Sequence, residues 1–250
     1  LAQISRVAEV AQRTILRPIP VRLGAMTFAT RYLSAAEEAL IGGDFYDAAF
    51  TPNGLRLIVG DVRGKGLQAV RLASVVLGSF REAAFADPDL PRLVAALNSR
   101  VGRELGDEDF VTLILVEFDP QRRLQLVNCG HPPPLLVGPT GRRLLEPVQS
   151  APPLGLQPSP PVDPEDRLLL YTDGLVEARA PDGRQFELDD RVEACLTSQS
   201  LDSALDGLVA LLLDHAGGRL DDDLALVLVA PDTAVARTPH PTTVTEETGG

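Results

Sequence analysis

Apolar and polar residues alternate over several short stretches of the chain, and this alternation predicts β-strands. A first strand is predicted over residues 26–32. Residues 45–50 and 55–59 predict a hairpin, because Pro52, Asn53 and Gly54 between them are typical turn formers. Further strands are predicted over residues 110–118, 124–128, 134–137, 143–145, 167–172 and 224–229.

Apolar residues recur at helical spacing in other stretches. They predict helices over residues 1–16, 67–85, 90–105, 188–196 and 201–215. Helices therefore come in pairs and strands in runs, whereas a doubly wound parallel sheet alternates the two throughout. This order favours an α+β fold in which helix pairs cover antiparallel sheets.

Two segments lack either pattern. Residues 147–166 are rich in proline and predict an irregular loop. Residues 232–250 have almost no large apolar side chain and predict a disordered tail. We therefore divide the chain into a linker helix over residues 1–20, one domain over residues 21–231, and the tail.

Composition excludes several functions. The formal net charge of −12 argues against nucleic-acid binding, which needs a basic face. Two distant cysteines, Cys129 and Cys195, are too few for a disulfide framework or a CxxC zinc site. We see no signal peptide and no apolar run long enough for a membrane span, so a cytoplasmic protein is expected.

Aspartates stand where apolar runs meet glycine turns. Asp44 lies in IGGDFYD, Asp61 in IVGDVRGKG and Asp173 in LLLYTDG, and residues 221–223 form an acidic run before the final strand. One such acid is usually a turn former or a helix cap, but here the arrangement recurs at four strands.

If these strand ends converge, the carboxylates repel one another by about 4 kcal/mol for each pair about 4 Å apart. A divalent cation is the simplest relief, and oxygen ligands favour Mg²⁺ or Mn²⁺ over zinc. The three histidines, His131, His215 and His240, are scattered and lack zinc-ligand spacing.

The glycine turn after Asp61 admits other interpretations. Residues 64–69 match GxGxxA, a dinucleotide fingerprint, but Asp61 would face the pyrophosphate and the next acid, Glu82, lies inside a predicted helix. A Walker A loop fails because Lys65 is followed by glycine rather than by Ser or Thr. A tight turn without a ligand stays open at this point.

Six motifs in order resemble one family: IGGDFYD, GDVRGKGLQA, NCGHPPPLL, PLGL, LLLYTDGLVEAR and DDDLALVLV. Residues 22–230 resemble the SpoIIE/RsbU-type protein serine/threonine phosphatases, a bacterial branch of the metal-dependent PP2C-like (PPM) family. The resemblance implies an α-β-β-α sandwich of two antiparallel sheets flanked by helix pairs. It also implies hydrolysis of a protein phosphoserine or phosphothreonine by a metal-activated water, with two Mn²⁺ or Mg²⁺ ions.

The resemblance also implies roles for single residues. Asp61 resembles the aspartate between the two metals, and the carbonyl of Val62 resembles a main-chain ligand of the first. Asp173 and Asp222 resemble carboxylates of the second metal, with Asp223 as the alternative to Asp222. Asp44 resembles the acid that holds water at the same centre.

The chain departs from the family pattern twice. Arg63 replaces the usual serine of the glycine turn, where it is either a contact to substrate phosphate or a solvated charge. Ala225 replaces a threonine before the last strand and lacks a hydroxyl that would orient a ligand. A catalytically weak domain that binds a partner and signals is therefore the alternative. For His131 we expect a structural role.

The resemblance implies protein partners as well. The expected substrate is a small phosphorylated regulator of the STAS type, related to anti-anti-sigma factors. The helix over residues 1–16 and the first residue, Leu1, suggest an upstream sensor domain in a longer chain, and pairing of this helix would form a homodimer.

Overall fold

The computed structural model describes residues 15–34, 42–106, 109–121, 123–146, 156–161 and 165–232. Two antiparallel sheets form its centre. The first contains, in spatial order, β1 (Arg22–Leu23), β2 (Met26–Leu33), β11 (Leu224–Pro231), β10 (Arg167–Tyr171), β7 (Leu135–Gly138) and β8 (Gly141–Leu144). The second contains β3 (Phe45–Thr51), β4 (Gly54–Val62), β5 (Val111–Phe118), β6 (Arg123–Cys129) and β9 (Leu156–Pro161).

A helix pair covers the outer face of each sheet. Helices α1 (Leu67–Ala86) and α2 (Leu90–Val101) pack on the five-stranded sheet, and α3 (Asp190–Leu196) and α4 (Leu201–His215) pack on the six-stranded one. The predicted α+β fold, a four-layer α-β-β-α sandwich, is confirmed.

Strand β11 shows how the layers are held together. Its residues alternate in direction: Ala225, Val227 and Val229 join the core between the sheets, whereas the intervening leucines join the core under α3 and α4. Because both faces are buried, the strand is almost continuously apolar in sequence. It lies between β2 and β10, so the acidic residues before it are carried to the middle of the sheet.

The prediction of an irregular loop over residues 147–166 is wrong in part. Residues 156–161 form the edge strand β9, which pairs with β6 and places Pro158 and Pro161 opposite Gln125 and Arg123. Proline lacks a backbone N–H, and an edge strand tolerates it because only one side of the strand pairs.

Two helices are shorter than predicted, and a second strand, β1, was missed. Helix α2 ends at Val101, before Gly102, rather than at residue 105. Helix α3 begins at Asp190 because the side chain of Asp189 accepts a hydrogen bond from Arg191 N and caps the helix. The two-residue strand β1 is too short to give an alternation signal.

The ends of the chain lie largely outside the described residues. Residues 1–14, and so nearly all of the predicted linker helix, are among these, as are residues 233–250 of the predicted tail. Asp232 is an exception to the prediction of disorder, because it is 5% exposed and its backbone N–H donates to Ala25 O at 2.8 Å. Within the described residues, no helix is both long and apolar enough to cross a membrane.

Candidate metal centre

Three of the predicted site residues meet at one end of the two sheets. Asp44 precedes β3, Asp61 lies near the end of β4, and Asp173 follows β10. One carboxylate oxygen from each residue lies within 4.8 Å of those of the other two. The convergence that was assumed from sequence is therefore present in the fold.

Glycines allow this close approach. A Cβ atom on Gly43 would overlap the backbone of Val62, so only glycine lets the segment before Asp44 lie against the end of β4. A Cβ atom on Gly174 would overlap the carbonyl oxygen of Asp223. Gly43 thus lets the segment of Asp44 meet the end of β4, and Gly174 lets the end of β10 meet the acidic run before β11.

Without a cation, burial and mutual repulsion disfavour the ionised forms of these three carboxylates. Burial and the charge of Asp61 hold the pKa of Asp44 well above its usual range. Burial, with the charges of Asp173 and Asp222, raises the pKa of Asp61 to about 7. Burial and the charge of Asp222 also raise the pKa of Asp173. A set of crowded oxygen donors that resist ionisation fits a hard divalent cation.

Asp222 and Asp223 have different environments. The Asp223 side chain is buried and already accepts hydrogen bonds from Tyr32 Oη at 2.8 Å and Gly42 N at 2.6 Å. Asp222 is 48% exposed, faces the cluster closely enough to raise the pKa of Asp61, and pairs with Lys65 Nζ at 2.8 Å. Asp222 is not among the three acids whose carboxylate oxygens lie within 4.8 Å of one another. Asp223 anchors the Gly42–Asp44 segment.

The other two residues singled out in the glycine turn are also near the cluster. Val62 lies against Gly43, and its N–H donates to Gly43 O at 3.3 Å. The exposed Arg63 places its guanidinium carbon 5.3 Å from the centroid of the Phe110 ring. Arg63 is thus a stacked cation at the edge of the site rather than a fully solvated charge.

Sequence reasoning missed Thr172. This residue is fully buried, and its hydroxyl donates to Asp44 Oδ2 at 2.7 Å while accepting from Ala225 N at 2.9 Å. The hydroxyl thus orients the most buried carboxylate of the cluster. In the sequence, the position of Thr172 directly before Asp173 is the feature that could have indicated this role. Because the backbone of Ala225 supports Thr172, the missing hydroxyl at Ala225 does not leave Asp44 without an orienting group.

His131 connects the two sheets beneath the site, in agreement with the expected structural role. Its Nε2 lies 3.1 Å from Tyr171 O, and its Nδ1 lies 3.0 Å from Thr112 Oγ1. Burial lowers its pKa to about 4, so the ring is neutral. Since a carbonyl only accepts, Nε2 carries the proton and Nδ1 accepts from Thr112.

The cysteines are not reactive groups. Burial raises the pKa of the Cys129 thiol to about 11 and also raises that of Cys195. Thiolates, not thiols, are nucleophiles, so neither residue is suited to nucleophilic catalysis. Both thiols are half-buried.

Comparison with known proteins places the chain in a family. Residues 51–232 match the model of Stage II sporulation protein E (SpoIIE). Protein IcfG of a Synechocystis strain is 26% identical over 233 residues, which cover 76% of this chain and 36% of IcfG. The chain therefore spans little more than a third of that relative.

Solved structures share the fold. The RsbU and RsbW domains of Rv1364c from Mycobacterium tuberculosis align with a TM-score of 0.72 and 27% identity, over 86% of this chain and 61% of that one. The SiaA-PP2C domain of Pseudomonas aeruginosa aligns with a TM-score of 0.73 and 19% identity, over 90% and 94% of the two chains.

Solved structures with this fold include metal complexes. The catalytic domain of the serine threonine protein phosphatase PstP, in complex with 2 manganese ions, aligns with a TM-score of 0.56 and 16% identity, over 82% of this chain and 97% of that one. At this identity the likeness shows the fold alone. The family match over most of the chain and the four-layer sandwich lead to one conclusion: this chain belongs to the SpoIIE family and has the PP2C-like fold of SpoIIE/RsbU-type phosphatase domains.

Proposed function

We propose that the chain is a metal-dependent protein serine/threonine phosphatase, a phosphoric monoester hydrolase of the PPM type. The observation that supports this most strongly is the meeting of Asp44, Asp61 and Asp173 oxygens within 4.8 Å at the strand ends. Within the described part of the chain, no lysine or arginine forms an ion pair with these three acids. The set suits two Mn²⁺ or Mg²⁺ ions.

Each acid has a proposed place in the centre. Asp61 would hold both ions, and the carbonyl of Val62 would be a further ligand of the first. Asp173 and Asp222 would hold the second ion, and Asp44 would hold a water molecule at the centre. When bound, the ions lower the pKa of water and stabilise charge on the phosphoryl oxygens.

The surrounding residues keep these acids in place. The Thr172 hydroxyl fixes one oxygen of Asp44, which leaves the other to face the cluster. Lys65 balances the charge of Asp222 at the exposed edge. Arg63, at the mouth of the turn, is proposed to contact the substrate phosphate, because a guanidinium can bind two phosphoryl oxygens at once.

The proposed substrate is a phosphorylated regulator of the STAS type. Support comes from the family resemblance and from the relative in Mycobacterium tuberculosis, whose RsbU domain was solved together with an RsbW domain. A set of purified phosphorylated STAS-domain proteins, compared with an unrelated phosphoprotein, tests this choice. The proposal predicts faster release of phosphate from at least one STAS protein.

Metal-dependent hydrolysis of p-nitrophenyl phosphate tests the activity itself. We expect turnover with Mn²⁺, none with a chelator, and a loss of about 100-fold or more in Asp61→Asn and Asp173→Asn, because each substitution removes a charged ligand. Asp182→Asn is the matched control, since Asp182 is exposed and pairs with Arg184 away from the cluster.

The same assay decides against the alternative of a catalytically weak signalling domain. Metal binding without turnover on p-nitrophenyl phosphate or on any phosphorylated STAS protein would support that alternative. Unchanged hydrolysis in Asp61→Asn and Asp173→Asn, with metal chelated, would exclude the proposed metal-dependent mechanism.

A further inference from the structure

Two exposed, large apolar side chains adjoin the glycine turn that follows Asp61. Phe110 is 51% exposed and Leu67 is 47% exposed, although most of the large apolar side chains that the structure describes are buried. Phe110 precedes β5, and Leu67 is the first residue of α1, directly after the glycine turn. Exposed apolar groups are informative when they stand next to a candidate site.

Strand register places Phe110 close to the cluster. In the β4–β5 pair, Asp61 lies opposite Thr112 and Val62 opposite Val111. The pairing continues one step further, because Arg63 N donates to Phe110 O at 3.0 Å. Phe110 therefore lies two positions along the ladder from the central acid of the proposed metal centre.

Arg63 and Phe110 support each other at this edge. The guanidinium carbon lies 5.3 Å from the ring centroid, which is within the range of a cation–π contact. Such stacking restricts a long, flexible side chain and holds its charge above an apolar surface. A positive charge and an apolar ring therefore lie side by side, on two residues whose backbones pair at the end of the β4–β5 ladder.

We propose that Arg63, Phe110 and Leu67 form a docking rim that binds the polypeptide segment flanking the phosphorylated residue of a protein substrate. This inference rests on the proposed phosphatase function. A small phosphate ester reaches only the metal centre and the phosphate contact proposed for Arg63, whereas exposed apolar area beside them favours a ligand that extends past the phosphate. An apolar neighbour of the phosphoserine packs on Phe110 and Leu67, and an acidic neighbour pairs with Arg63.

The positive charge of Arg63 suits a segment that carries an acidic neighbour. The chain carries a net charge of −12, and the acids of the site would repel a segment bearing both a phosphate and a carboxylate. The turn supplies two cations: Lys65 pairs with Asp222, and Arg63, which stands where the family pattern has a serine, stacks on Phe110. The positive charge of Arg63 at the rim offsets part of that repulsion.

Phosphoserine peptides test the apolar part of the rim. One peptide carries leucine on both sides of the phosphoserine, and the other carries serine there, at equal charge. With Mn²⁺, we expect the wild-type protein to favour the leucine peptide about tenfold in kcat/KM, which is the change expected for burying one large apolar side chain. Phe110→Ala and Leu67→Ala should reduce that ratio to less than about threefold.

Phe85→Ala is the matched control, because Phe85 is 60% exposed near the other end of α1, about 27 Å along the helix from Leu67. It should keep the wild-type ratio. The wild-type protein should also favour a phosphoserine peptide with an acidic neighbour over one with a basic neighbour. Arg63→Ser, which restores the family residue, should lose this preference, whereas Arg71→Ser, which removes an exposed cation of α1, should keep it.

Several outcomes would overturn the docking rim. These are a wild-type protein with no preference, a preference that survives both Phe110→Ala and Leu67→Ala, or an equal loss in Phe85→Ala. Concentration-dependent self-association that Phe110→Ala abolishes, without any peptide preference, would instead assign the surface to a second copy of the chain. Absence of Mn²⁺-dependent hydrolysis of p-nitrophenyl phosphate would contradict the proposed function itself, whereas intact hydrolysis with no peptide preference contradicts the rim alone.

Discussion

A buried carboxylate needs a hydrogen-bond donor or a cation. At this site, Asp223 and Asp44 differ in the donors that they receive. Asp223 receives donors from Tyr32 and Gly42, so its charge is satisfied by the protein. Asp44 has a hydroxyl donor on one oxygen and another acid beside it. This contrast separates an anchoring aspartate from a candidate metal ligand, although both stand in equivalent-looking sequence motifs.

Thr172 gives a prediction at this scale. Thr172→Val removes the donor to Asp44 and leaves Ala225 N without its acceptor. The free energy of unfolding should therefore fall by roughly 1–3 kcal/mol. The affinity for Mn²⁺ should fall about tenfold, because a ligand loses its orientation. Thr172→Ser keeps the hydroxyl and should restore the affinity to within about twofold of wild type.

Denaturant unfolding and a Mn²⁺ titration of both variants provide the measurement. If Thr172→Ser weakened Mn²⁺ binding as much as Thr172→Val does, the hydroxyl would not be the group that matters.

At the scale of elements, the site forms where strands from both sheets end together. His131 ties these strands, since it joins Thr112, opposite Asp61, to the carbonyl of Tyr171, two residues before Asp173. The two sheets can therefore shift less at this end than packing alone would allow. The imidazole ring must be neutral in this bridge, because Nε2 donates to the carbonyl of Tyr171 and Nδ1 accepts from Thr112.

The pH dependence of stability should reveal the bridge. The pKa of His131 is lowered from 6.5 in the unfolded chain to about 4 in the fold, so its stabilising contribution is present above pH 6.5 and is lost as pH falls towards 4. Between those limits, the loss is roughly 3 kcal/mol.

His131→Gln does not titrate, so comparison with wild type isolates this effect from the carboxylates. The difference in unfolding free energy between the two proteins, measured with metal chelated, should shrink from pH 7.5 to pH 4.5. A difference that stays constant over this range would show that the ring is not held neutral.

At the scale of the whole molecule, the order of elements and the positions of the acids were predictable from sequence. Paired helices and runs of strands indicated the layered fold, and the repeated acid–glycine junctions indicated Asp44, Asp61 and Asp173. Contacts between distant segments were not predictable, because nothing local encodes the Thr172 bond to Asp44 or the stacking of Arg63 on Phe110. The edge strand β9 was missed because its prolines indicate a loop when only the sequence is known. The fold places them on a sheet edge, where proline is tolerated.

The molecule as a whole places several acids of an already acidic chain at one point of its interior, an arrangement that costs stability unless a cation binds. The proposed metal centre accounts for that arrangement, and the family's PP2C-like fold supports it. The proposed function therefore requires that the cluster bind divalent metal through its central acid, Asp61.

Calorimetric titration of Mn²⁺ into the wild-type protein, Asp61→Asn and the control Asp182→Asn tests this claim most directly. We predict that wild type and Asp182→Asn bind Mn²⁺ equally, and that Asp61→Asn binds at least about tenfold more weakly, because the acid assigned between the ions has lost its charge. Equal affinity of wild type and Asp61→Asn for Mn²⁺ would contradict the account.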